Sequence, residues 1–386
     1  MRGFVHRCMD RFVVPPRVDA PHLCAVDCTH DVIIIGRGIA GVVLSETLRA
    51  MGKRAVVFDV PKANAASPVA AGIVNPVAMR RIIPSWRAAE MLEHAEPFYR
   101  SLEKEYGQMM WHPLPLVRLF ANAREAEEWP QRMRDPEVGP FLAEGVLPGF
   151  DAGKFNAPHG YGIVRHCAWL DVQAMREAHR MKWLSEGALV EREVMHHDVR
   201  AMDGGVQVFD ASAPWVVWCN GPFAALPGLV PTRGELMTLH LFGMDTEAMV
   251  HRNGFLLPVG NNNYKLGSTF AWDDVWSGPT ERGKEELLKK LNGMLGPAGF
   301  APLSEDLSLR AESRSGGRDE VHSTGVRPAS RDRRPILGQV APHQAVFNGL
   351  GSRGVLLAPW CANHLIAHLI NGAPLHAEVD ASRFER

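Results

Sequence analysis

The first sustained hydrophobic pattern begins at Asp31. Residues 32–35 are all β-branched and apolar, with no polar face, which predicts a buried parallel strand. GRGIAG follows from Gly36 to Gly41. Ile39, Val42, Val43, Leu44 and Leu48 then recur at helical spacing up to Met51 and Gly52, where the glycine suits a helix end. Residues 53–58 predict a second strand that closes on Asp59. Strand, glycine turn, helix and strand in this order predict the start of a βαβ unit.

Beyond it the pattern is uneven. Residues 67–76 (SPVAAGIVNP) predict a small-residue loop, and residues 86–106 predict a helix. Residues 107–160 mix Trp, Pro and charge without a period. A helix is predicted from Trp169 to Trp183, and strands over 188–194 and 215–218. Residues 231–272 read as strand segments, with the Asn261, Asn262, Asn263 run as one turn. Glu281 to Leu295 has the stripe of an amphipathic helix, and Gly354 to Ile370 runs from a glycine-rich loop into an apolar helix.

At 386 residues the chain predicts roughly two domains. Apolar residues are 46% and charged residues 22%, the profile of a globular protein. A net charge of −1 does not single out a polyanionic partner. No apolar run reaches the ~18 residues of a membrane span. The six cysteines form no disulfide framework, and Cys24 and Cys28 lack a second pair that would complete a zinc tetrad. Unpaired thiols predict a cytoplasmic protein with no metal site. The 17 histidines form no metal pattern, and His196 with His197 reads as surface. Residues 1–30 carry Arg2, Arg7, Arg11 and Arg17 and no apolar stretch of the ~7–15 residues that a secretory signal needs. They predict a flexible extension, or sequence upstream of the true start.

The chemistry starts with Gly36, Gly38 and Gly41 in GxGxxG spacing. The first glycine makes a tight turn, the second lets a pyrophosphate approach the backbone, and the third packs helix on strand. Ile39 and Ala40 open the helix, whose free N–H groups and dipole favour a phosphate. Asp59 lies about twenty residues on, where a carboxylate can bind ribose hydroxyls. This fingerprint predicts a dinucleotide and leaves NAD and FAD open. No GxSxG elbow or Walker loop supports a hydrolase or NTPase.

Five later segments decide for FAD. VVWCNGPF at Val216, PTRGEL at Pro231, FLLPVGNNNYKLGSTF at Phe255, GVRPASRDRRPILG at Gly325 and GLGSRGVLLAP at Gly349 follow one another in an order that resembles the D-amino-acid oxidase superfamily, from Asp31 almost to the end. Within it, the last two segments most resemble the FAD oxidase domain of bifunctional tRNA wobble-uridine modification enzymes, which acts on a carboxymethylaminomethyl-uridine. The AAGIVNP loop at Ala70 departs from that domain's usual sequence.

The resemblance implies an α/β fold: a Rossmann-like FAD-binding domain of residues 31–88, 158–224 and 321–386, interleaved with a smaller substrate domain of 89–157 and 225–320 on a mixed or antiparallel sheet. It implies FAD contacts from Ser67, Ala71, Gly72, Val194, Gly221, Gly351, Ser352, Arg353, Gly354 and Val355. The helix starting near Val355 would turn its N-terminus to the flavin. No cysteine stands near Arg327, where sarcosine oxidases attach their flavin, so the FAD is expected to be non-covalent.

Arg327 is the expected substrate anchor, since a guanidinium offers a carboxylate a bidentate fork. The competing reading is a structural ion pair with Glu312 or Asp332. Arg353 is the next candidate anion contact, or else a surface arginine or a phosphate neighbour. Phe255 and Phe270 are expected to line the substrate pocket, or else to be plain core aromatics; Val194 has the same alternative. Arg331, Arg333 and Arg334 read as a solvated face or as phosphate contacts. The implied activity is oxidation of the C–N bond of an amine or amino acid, by hydride transfer to flavin N5 and imine hydrolysis. The alternatives are action on tRNA, which is left open as a partner, and a flavin-binding protein without turnover.

Overall fold

The computed structural model describes residues 28–296 and 322–385. Of the expected N-terminal extension, residues 1–27 lie outside the described residues. Thr29 and His30 belong to the fold: their amides donate to the Ser212 hydroxyl and carbonyl at 3.1 and 3.0 Å.

Two sheets organise the chain. The first has six strands in the spatial order Leu189–Val190, Ala55–Phe58, Val32–Ile35, Trp215–Trp218, Gln344–Asn348, Ile336–Ala341. All neighbours are parallel except the last pair. The three central strands are buried along their whole length, which an apolar run with no polar face requires. From Val32–Ile35 the chain first builds outward to one side, then resumes on the other at Trp215–Trp218. Ligands of open α/β sheets bind beyond the carboxyl ends of the strands at such a switch point.

The helices Ile39–Ala50, Ala88–Tyr106 and Gly354–Asn371 share one apolar core against this sheet. The sequence reading put residues 89–157 with the substrate unit. Met91, Ala95 and Tyr99, spaced as one helical stripe, instead face the dinucleotide core, and the Tyr99 hydroxyl donates to the Val355 carbonyl at 2.9 Å.

The second sheet has eight strands, ordered His322–Ser330, Leu229–His240, Asn263–Gly267, Phe255–Gly260, Met249–His251, Leu116–Leu119, Tyr161–Val164, Leu142–Ala143. It is mixed, because Met249–His251 and Leu116–Leu119 run parallel while their neighbours are antiparallel. Here the unreadable stretch from 107 to 160 finds its order. Its strands are short and pair with partners distant in sequence, so they carry no period of their own.

Local boundaries moved for local reasons. The helix expected from Trp169 begins at Val172, because Asp171 Oδ1 accepts the Ala174 amide at 3.0 Å as an N-cap. The strand expected to reach Val194 stops at Val190, where the Arg192 amide turns back to the Val190 carbonyl at 2.9 Å. The loop over 67–76 holds a short helix, Ala66–Val69, and the strand Ile73–Val74.

Trp129 offers a stability test. It is 1% exposed, and its indole N–H donates to the Ala143 carbonyl at 3.1 Å. Its ring fills the space above Gly162, where a Cβ would lie 2.1 Å from it. Trp129→Ala is expected to cost about 3–5 kcal/mol of unfolding free energy. Denaturant titration checks this, and a loss below about 1 kcal/mol would mean that the neighbours collapse into the space.

Candidate functional site

The three glycines of the fingerprint have three different surroundings. Gly36 leaves its strand at φ +103, and a Cβ on it would meet the Cys219 carbonyl oxygen at 2.6 Å. At Gly41 a Cβ would lie 1.9 Å from the Gly36 carbonyl oxygen, so this glycine lets the helix sit on the turn. Gly38 is more open: a Cβ there would meet only the Ser67 hydroxyl, at 3.1 Å. That hydroxyl also accepts the Ile39 amide at 3.1 Å.

One continuous cavity of about 610 Å³ joins this turn to the second sheet. Gly36, Gly38, Ile39, Ala40 and Asp59 line it, as do Ser67, Ala71, Gly72, Val194 and Gly221. Gly351, Ser352, Gly354 and Val355 line it from the start of the Gly354–Asn371 helix, whose opening amides have no partner within the helix. Gly41 lies behind the lining, as a packing glycine should. Val194 reaches the cavity from irregular chain beyond the strand Leu189–Val190, which was expected to include it, and is buried.

Two of the expected residues lie outside this lining. Arg353 is not in the lining. Ser352 and Gly354 on either side of it line the cavity, while the Arg353 side chain is buried close enough to Arg333 to feel its charge. Burial first, then the Arg333 charge, lowers its pKa. Phe270 is also outside the lining. It is 53% exposed and stacks on the Arg327 guanidinium at 4.4 Å from its ring centroid, so it meets the site only through that arginine. Phe255 does line the cavity.

Arg327 projects from the strand His322–Ser330 into the cavity wall. Its Nη1 donates to the Arg233 and Thr269 carbonyls and its Nη2 to the Thr269 carbonyl, each at 3.3 Å. Burial alone pushes its pKa down to about 10. No carboxylate among the described residues offsets this charge. Asp332, one of the two expected partners, is held by Arg383 at 2.8 Å. Glu312, the other, lies outside the described residues.

At the glycine turn, Asp59 Oδ1 accepts the Arg37 amide at 2.9 Å, and the Arg37 Nε stands 3.6 Å from Oδ2. Burial raises the Asp59 pKa against the pull of the Arg37 amide and charge. Arg37 Nη1 holds the Arg176 carbonyl at 2.5 Å and Arg176 Nε holds that of Arg37 at 3.2 Å. Arg37, Lys62, Arg176 and Arg180 all line the cavity, and none was foreseen. Arg37 had a readable signal, since it occupies the variable position of GxG. The others come from separate segments that only the fold brings together.

These residues fit a dinucleotide. The backbone cradle excludes side chains at Gly36 and Gly41, free helix amides and buried cations suit phosphates, and Arg37 Nε is buried with no hydrogen-bond partner.

A protein-family model described as DAO, FAD dependent oxidoreductase, matches residues 31–368. The tRNA 5-methylaminomethyl-2-thiouridine biosynthesis bifunctional protein MnmC of Idiomarina loihiensis is 26% identical over 364 residues, 88% of this chain and 55% of that protein. The protein of the same name from Maricaulis maris is 28% identical over 352 residues, 90% of this chain and 53% of its own length. This chain therefore spans about half the length of these curated relatives. Among solved structures, iminodiacetate oxidase from Chelativorans sp. BNC1 matches with TM-score 0.69 at 21% identity, covering 92% of this chain and 98% of that one. Glycine oxidase from Geobacillus kaustophilus matches with TM-score 0.67 at 19% identity, covering 92% and 97%. The cofactor is FAD, and the chain belongs to the DAO family of FAD-dependent oxidoreductases.

Proposed function

We propose that this protein oxidises the C–N bond of an amine that carries a carboxylate. One observation carries the reading: the Arg327 guanidinium is buried in the cavity wall, held by neutral carbonyls, with no carboxylate among the described residues to balance it. A buried unpaired charge is costly, and an anionic ligand relieves that cost.

FAD, when bound, supplies the two-electron acceptor for the hydride leaving the substrate carbon. The rest falls to the chain. Arg327 binds and orients the carboxylate, which converts a chance encounter into a fixed approach. Phe255 and Leu236 line the cavity and exclude water. The Gly354–Asn371 helix presents its free opening amides and positive end to the cavity, where negative charge is stabilised. No side-chain base is assigned, since an amine bound unprotonated needs none.

A second reading rests on the names of the curated relatives: the amine is the carboxymethylaminomethyl group of a tRNA wobble uridine. That group also bears a carboxylate, so Arg327 would serve it equally. Exposed Arg331 and Arg333, at the end of the strand that carries Arg327, would face the phosphates.

Anaerobic bleaching of the flavin separates these readings. The panel pairs glycine, iminodiacetate and the common amino acids with amines lacking the carboxylate, and adds tRNA. Carboxylated amines are expected to bleach the flavin and their counterparts to fail. Bleaching by tRNA alone selects the second reading, and no bleaching at all leaves a flavin-binding protein without turnover. We further expect the FAD to be non-covalent. Acid precipitation should release all of it to the supernatant, and flavin retained in the pellet would overturn this.

A further inference from the structure

The anchor arginine rests on a feature of the neighbouring strand. Leu229–His240 and His322–Ser330 pair antiparallel, with Gly234 opposite Gly325 and Thr232 opposite Arg327. Side chains alternate along a strand, so Gly234 and Leu236 face the cavity while Arg233 and Glu235 face away. On that far side Glu235 caps the Glu281–Met294 helix through the Thr280 amide and hydroxyl, at 3.0 and 2.8 Å.

On the cavity side, the Arg327 side chain lies diagonally across the strand pair, with its guanidinium over Gly234. A Cβ at Gly234 would stand 2.0 Å from Nη2, 2.2 Å from Cζ and 2.3 Å from Nη1. The paired Gly325 makes room in the same face for the loop above it, since a Cβ there would meet Val69 Cγ2 at 2.5 Å and the Ala65 carbonyl at 3.2 Å. Gly234 has no positive φ, so its backbone does not demand glycine. The demand comes from the guanidinium.

We propose that Gly234 is a positioning residue for substrate recognition: its missing side chain creates the berth in which Arg327 lies flat on the sheet, within reach of both the Arg233 and Thr269 carbonyls and ready for a carboxylate. This rests on the reading of Arg327 as the carboxylate anchor. The colliding atoms are the tip of a flexible side chain. A methyl group at Gly234 therefore leaves the strand intact and expels the guanidinium from its place.

Iminodiacetate serves as the probe, with its binding to the FAD-loaded protein read from the flavin absorbance. Gly234→Ala is expected to weaken binding more than tenfold, with flavin content and unfolding midpoint near those of the wild type. Added to Arg327→Ala, it should change binding no further, because no guanidinium remains to be displaced. If Gly234→Ala binds as the wild type does while Arg327→Ala does not, the berth is wrong and the anchor stands. If Gly234→Ala weakens binding as much with Arg327 absent as with it present, or loses flavin or unfolds, the glycine serves the fold and the inference fails. If Arg327→Ala binds the probe as the wild type does, the anchor reading fails and this inference with it.

Discussion

Gly41→Val yields protein without FAD and with reduced stability. The Cβ of any residue at 41 would stand 1.9 Å from the Gly36 carbonyl oxygen and 2.9 Å from its carbon. Both atoms are backbone, in a turn already held by the Gly36 amide on the Phe58 carbonyl at 2.8 Å. Neither can yield, so the helix must lift from the turn and carry its opening amides away from the phosphate position. Overpacking of a tight contact typically costs about 1–3 kcal/mol, and this contact is closer than most. Gly38→Val is the informative companion. Its Cβ meets only a serine hydroxyl, so the fold should survive while the valine occupies the pyrophosphate's approach. Purified protein would be colourless in both cases, with a lowered unfolding midpoint in the first only. Full flavin occupancy in either variant means that the turn does not cradle the dinucleotide.

Arg327→Ala is expected to cost more than tenfold in binding a carboxylated amine and to leave flavin content unchanged. Removing one member of a buried charge pair costs about 2–5 kcal/mol, and each tenfold in binding is about 1.4 kcal/mol. The structure makes the contrast sharp, because the hydrogen bonds of the Arg327 guanidinium go to the neutral Arg233 and Thr269 carbonyls and its face stacks on the Phe270 ring. A decarboxylated analogue should bind wild type and variant almost equally, having nothing for the guanidinium to hold. Equal loss of both ligands would falsify the anchoring role and make the arginine structural. Its pH dependence is simple in sign. The folded pKa lies below the ordinary value but still near 10, so the guanidinium stays charged, and its hold on a carboxylate persists, throughout neutral pH.

Much of the cofactor site was legible because its physics is local. The tight turn at Gly36, the helix opening at Ile39 and the acid at Asp59 are set by residues within one βαβ unit, and their spacing is their mechanism. The glycine-rich start of the C-terminal helix was read as part of the site only through the family resemblance. Where the sequence reading missed, contacts distant along the chain were the cause. Phe270 looked like a pocket residue, but the turn after Asn263–Gly267 leaves it outside, stacked on Arg327. Arg353 looked like a second anion contact, but it lies outside the cavity lining. Arg176 and Arg180 were not foreseen, because nothing in the Val172–Ser185 segment says that one face looks into the cavity.

The amino-acid sequence by itself determined the dinucleotide unit, the FAD family and the identity of the candidate anchor. The first depends on residue types at short fixed spacings, where backbone geometry leaves few alternatives; the other two rest on the resemblance of segments spread along the chain to a known family. Only the tertiary structure decided that Arg327 is without an acidic partner among the described residues, that it lies over Gly234, and that cations from three segments converge on the cavity. Those facts depend on contacts between distant segments, and the place of Arg327 depends on register between strands some ninety residues apart. Pairing Gly234 with Gly325 puts the guanidinium on the cavity face, and a slip of one residue would turn it to the other.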